Sequence, residues 1–132
     1  MDLTTPYAFG KTVSMSCAEA QLKVREELAK EGFGVLTEID FRKTFTEKLQ
    51  KDFREYTVLG ACNPSIAYEA ITQELNLGIL LPCNVIIYSR DDGRTAVMFM
   101  DPIARFSFIG NPEIEEFGIK VTAKLERVLE AL

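Results

Sequence analysis

Histidine is absent from this chain of 132 residues. That excludes Ser-His-Asp and Cys-His nucleophilic catalysis within one chain, together with every His-based metal set. Acid–base work then falls to Asp, Glu, Lys, Tyr or Cys. Cysteine is scarce: three residues, an odd number, with no CxxC spacing. Neither a disulfide framework nor a zinc site has that pattern, so reduced thiols with no metal and no cofactor are expected. No apolar run approaches the span of a bilayer, and Met1-Asp2-Leu3 opens without a basic n-region. A cytoplasmic protein with no membrane partner is expected. Positive charge is in deficit, and a net charge of −5 argues against nucleic acid or an anionic lipid surface as the main partner. The densest basic segment holds Arg42, Lys43, Lys48, Lys51 and Arg54, but acidic residues are interspersed and it reads as a solvated face.

What is present is an ordinary globular composition. Hydrophobic residues at 47% and charged residues at 27% fit one soluble domain over residues 1–132 with a single core. Tyr7 to Val13 can form a first strand. Ser16-Cys17-Ala18-Glu19 reads as a capping box, and the helix after it puts Cys17, Ala20, Val24 and Leu28 on one stripe before Gly32 ends it. Cys17 is thereby a small apolar core residue. Phe33 to Ile39 reads as a strand, and Asp40 caps a short helix with Phe41, Phe45 and Leu49 on one face.

Tyr56 to Ala61 is a further strand, followed by Asn63-Pro64, a strong helix start with Asn at the cap and Pro at the first helical position. That helix runs to about Leu75, with Ile66, Ala67, Ala70 and Ile71 inward. Ile79, Leu80 and Leu81 read as packing residues. Cys83 to Ser89 and Arg94 to Met100 are strands joined by Arg90-Asp91-Asp92-Gly93, a hairpin signal because Gly tolerates positive φ. Asn111-Pro112 starts a last helix in which Ile114, Phe117, Val121, Leu125, Val128 and Leu132 recur at helical spacing. The sum is an α+β fold: two layers, a mostly antiparallel five-stranded sheet, and helices on one face.

Two segments concentrate potentially reactive side chains, Ala61-Cys62-Asn63-Pro64 and Pro82-Cys83-Asn84-Val85. Cys62 precedes a helix N-terminus, whose positive dipole end lowers a thiol pKa and favours an anion. Against that, capping alone accounts for Asn63 and Pro64. Asn84 is an amide inside an apolar strand and needs a hydrogen-bond partner or a ligand. Asp101, before Pro102, and Glu38 and Asp40 are the acidic candidates for the same pocket, with a turn role competing at Asp101 and a capping role at Asp40. Tyr56, Tyr68 and Tyr88 read as packing residues. Phe106, Phe108 and Ile109 form an apolar loop suited to a subunit contact.

Gly32-Phe33-Gly34-Val35-Leu36-Thr37-Glu38-Ile39-Asp40, Leu59-Gly60-Ala61-Cys62-Asn63-Pro64 and Gly78-Ile79-Leu80-Leu81-Pro82-Cys83-Asn84-Val85 resemble the domain-of-unknown-function 302 family. Asp101-Pro102 and Gly110-Asn111-Pro112 fit it as well, so the resemblance spans nearly the whole chain. It implies a two-layer fold of the TATA-binding-protein-like type, with order β-α-β-β-β-β-α plus short helices, and a homodimer. It implies no reaction or ligand. The ligand-binding candidates are therefore Cys62, Asn63, Cys83, Asn84 and Asp101, for a small molecule or an anion. The alternatives are an interaction module in which these residues only stabilise the fold, and a thiol-dependent redox or sulfur-handling protein.

Overall fold

The computed structural model describes residues 2–132. Six strands form one sheet: β1 (Leu3–Thr5), β2 (Ala8–Val13), β3 (Gly34–Asp40), β4 (Tyr56–Cys62), β5 (Cys83–Ser89) and β6 (Thr95–Met100). Their spatial order is β1-β2-β6-β5-β4-β3, and every neighbouring pair is antiparallel. The expected count of five strands is thus corrected to six, and the expected order β-α-β-β-β-β-α gains a strand at its start. The added strand is β1, three residues long and paired with β2 through a turn at Pro6-Tyr7. A stretch that short carries no alternation from which a strand can be read.

Five helices accompany the sheet: α1 (Cys17–Lys30), α2 (Phe41–Leu49), α3 (Pro64–Gln73), α4 (Pro102–Phe106) and α5 (Pro112–Glu130). Each follows a side-chain cap. Ser16, Asp40, Asn63, Asp101 and Asn111 accept from N–H groups in the first turn, which satisfies donors that the helix itself cannot. Two 3₁₀ segments were not legible as such, Leu75–Leu80 and Ser107–Ile109. None of these helices is long and apolar enough to cross a membrane.

The core lies between the sheet and the stripes of α1 and α5. Ala20, Val24 and Leu28 from α1 and Val121, Leu125 and Val128 from α5 meet Phe9, Leu59, Val85, Ile87, Val97 and Phe99. Each large side chain taken fully out of water there contributes about 1.5–3 kcal/mol. A smaller cluster joins α3, α4 and α5 through Ala70, Leu77, Phe106, Ile114 and Phe117.

The expectation that the helices keep to one face is corrected: α2 packs on the other face. Strand alternation sends Tyr56 and Tyr88 to the face opposite Ile87. There Phe41 and Phe45 of α2, with Phe53, build an aromatic cluster on Tyr56, which stacks on Tyr88 at 5.6 Å between ring centroids. The rest of this second face is open and partly apolar, with Ile86 paired to Met98 and Val58 paired to Ile86. Ile79 is also unlike its expected role: it is 84% exposed, because the 3₁₀ turn rotates it outward while Leu77 turns in.

Candidate functional site

The two Cys-Asn segments meet at one end of the sheet. β4 and β5 are neighbours, with Ala61 opposite Cys83 and Gly60 opposite Asn84. Because successive strand residues point to opposite faces, Cys83 turns toward the helices and Asn84 toward the open face. The sheet therefore divides the expected pocket into two.

On the helix side, Cys62, Asn63 and Cys83 border a narrow apolar cavity of about 40 Å³ with Ile66, Phe106 and Phe117 on its walls. Almost nothing polar faces it. Asn63 spends its side chain on structure: Oδ1 accepts from the Ile66 N–H at 3.4 Å, and Nδ2 donates to the Glu31 carbonyl at 3.2 Å. Burial raises the Cys62 thiol above its ordinary value, where a lowered one was expected beside a helix end, because a buried thiolate loses hydration. Cys83 is pushed up to about 11, first by burial and then by its neighbour Cys62, against a smaller opposing pull from Arg105. Cys17 is raised as well, chiefly by burial, with its Sγ 3.7 Å from the Thr95 hydroxyl. All three thiols are free, and neutral at ordinary pH.

On the open face, a cleft of about 360 Å³ lies over the ends of β5 and β6. Its floor is Asn84, Ile86, Met98 and Met100; Ile79 to Pro82 form one wall, and Tyr7, Tyr56 and Arg105 complete the rim. The Leu81–Pro82 peptide at the wall is cis. Asn84 is exposed, and no hydrogen bond joins its amide to any described residue. Gly60, opposite Asn84, keeps this floor low: a Cβ there would collide with the Thr37 hydroxyl and lie 2.7 Å from Pro82 Cγ. Burial raises the Tyr56 phenol above its ordinary value, so it stays a neutral hydrogen-bonding group.

Asp101 stands apart from both cavities. Its Oδ1 accepts from the Ile103 and Ala104 N–H groups at 3.0 and 3.2 Å, the cap of α4. Its own N–H donates to the Tyr7 carbonyl at 2.9 Å, which ties the β1–β2 turn to the start of α4. Among the described residues no three His, Cys, Asp or Glu side chains gather to hold a metal ion.

Ile86, Met98, Met100 and Arg105 escaped the sequence reading. The available signal was the run Thr95-Ala96-Val97-Met98-Phe99-Met100, apolar at both parities of the alternation. Such a strand has something apolar on each face. Arg105 gave no signal, because its position depends on how α4 is carried across the sheet end.

Fold and cleft together define an α+β protein whose antiparallel sheet is covered by α1 and α5 on one face and partly by α2 on the other. The chain belongs to the family described as domain of unknown function DUF302, whose model matches residues 9–132. A solved structure described as the uncharacterized conserved protein DUF302 from Bacillus stearothermophilus is similar to it. The two are 26% identical, with a TM-score of 0.88, over 94% of this chain and 96% of that one. No curated protein matches the chain.

Proposed function

We propose that this protein is a small-molecule-binding domain that acts as a homodimer, its ligand lying in the open-face cleft beside Asn84. The observation that carries this reading is Asn84 itself. It is a polar amide on an apolar floor, unpaired among the described residues, in a cleft of the size small molecules occupy. Of the expected residues only Asn84 belongs to this site. Cys62, Asn63 and Cys83 border the dry cavity behind it, and Asp101 caps α4.

Thermal-shift screening across metabolite classes, run on wild type and Asn84→Ala, tests the assignment. Ligands that raise the wild-type midpoint are expected to raise that of the variant distinctly less. Equal shifts in both proteins would sink the site.

A second copy of the chain is the partner supported by surface chemistry. Leu75, Ile79 and Phe108 are apolar and more than two-thirds exposed, at 81%, 84% and 71%. Such residues gain by being covered. Three free thiols support a reducing compartment such as the cytoplasm.

A further inference from the structure

We propose that the open-face cleft takes a small apolar molecule ending in a carboxylate, anchored by the Arg105 guanidinium with Asn84 as the second polar contact. This rests on the small-molecule reading and names its ligand class.

Charge complementarity carries the argument. The chain has an excess of acid, −5 overall, yet no Asp or Glu lines this cleft. Among the described residues, Arg105 is the only charged one in its lining. Arg25, Arg42, Arg54, Arg90 and Arg127 each hold a carboxylate of the chain, and Arg94 donates to the Thr12 carbonyl at 3.5 Å. Arg105 forms no ion pair and no side-chain hydrogen bond with any described residue. The acid one helical turn before it, Asp101, is engaged in capping α4. A guanidinium is charged at every ordinary pH, and its planar fork matches a carboxylate.

The remaining surface selects the rest of the ligand. Ile86, Met98 and Met100 offer an apolar floor, and thioether side chains adapt to the shape laid on them. A volume of about 360 Å³ sits near the lower end of the range of about 300–1,000 Å³ for small-molecule pockets. One cation without a lysine, a glycine-rich loop or a long helix N-terminus at the rim balances a single negative charge. A phosphate dianion would keep part of its charge uncompensated against an apolar floor. Asn84 supplies an N–H donor to the same head group or an acceptor to a neighbouring hydroxyl.

The test uses the full chain with ¹³C-methyl methionine. Met98 and Met100 line the cleft and report it, Met98 as the principal reporter because Met100 also touches the core; Met15, packed against the core and outside the cleft, is the control. Octanoate, octanol and octylammonium are titrated in turn. Octanoate is expected to shift the Met98 and Met100 signals and leave Met15 unmoved, with octanol and octylammonium about tenfold or more weaker. Arg105→Gln is expected to bring octanoate to the level of octanol, and Arg105→Lys to retain part of the difference. If octanol matches octanoate, or Arg105→Gln leaves octanoate binding unchanged, the carboxylate inference is overturned while the small-molecule reading stands. If none of the three chains moves the cleft methyls, both fall.

Discussion

Asn63 Nδ2 donates to the Glu31 carbonyl at 3.2 Å across 32 positions of sequence, so the start of α3 is fastened to the end of α1. Glu31 in turn receives Arg127 of α5 on its carboxylate, at 2.8 and 3.0 Å. Gly32, with φ of 85°, lies beneath Asn63, and a Cβ at that position would stand 3.1 Å from Nδ2. One amide thereby caps α3 and ties it to α1, and the Glu31 carboxylate ties the end of α1 to α5.

Asn63→Ala should cost about 1–3 kcal/mol, because it removes a cap and a cross-chain hydrogen bond together. Asn63→Ser restores the cap oxygen but cannot reach Glu31, and should cost less. Urea unfolding of both variants checks this; equal losses would show that capping is not part of the role.

The Cys83 thiol makes stability pH-dependent in a definite direction. Its folded value, about 11, lies above the ordinary 9.0, so the folded state holds the proton more tightly than the unfolded chain. That contribution is complete below about pH 9 and is lost as pH rises toward 11, on the order of 2–3 kcal/mol. Cys83→Ala should start less stable at neutral pH and fall less steeply over that window. Parallel curves for the two proteins would contradict the assignment.

Gly60 is fixed by what surrounds it rather than by its backbone angles. Gly60→Ala would press its Cβ into the Thr37 hydroxyl and Pro82, and should cost about 1–3 kcal/mol. Adding Thr37→Ala should recover part of the loss, leaving the contact with Pro82. A double-mutant cycle on denaturation midpoints measures the coupling, and strict additivity would reject the contact as its cause.

Light scattering on a sizing column should return twice the mass of one chain, with about 1,000 Å² or more buried between copies. Phe108 is the residue of the expected apolar loop left outside its own core, since Phe106 is buried at 3%. Phe108→Glu should shift the protein toward monomer while its unfolding midpoint changes little. A single-chain mass for wild type at all concentrations would remove the dimer.

Much of the fold was legible in the sequence because its signals are local. The caps at Ser16, Asp40, Asn63 and Asn111, the stripes of α1 and α5, and the Asp92-Gly93 hairpin each depend on a few adjacent residues. β1 was too short to show a period, and the 3₁₀ turn at Leu75–Leu80 mimics a helix end followed by packing residues.

The candidate site was legible only by its neighbourhood. The sequence by itself established that these 132 residues supply no histidine, that Asn63 and Pro64 begin a helix, and that Asn84 is an amide needing an explanation. Tertiary structure decided that Cys83 and Asn84, adjacent in the chain, serve opposite faces of the sheet. It also decided that Arg105 shares a cleft with Asn84. The physical reason is that alternation gives two faces without saying which one is covered. Coverage follows from where α1, α5 and α4 pack, and that packing is set by contacts between residues far apart in sequence.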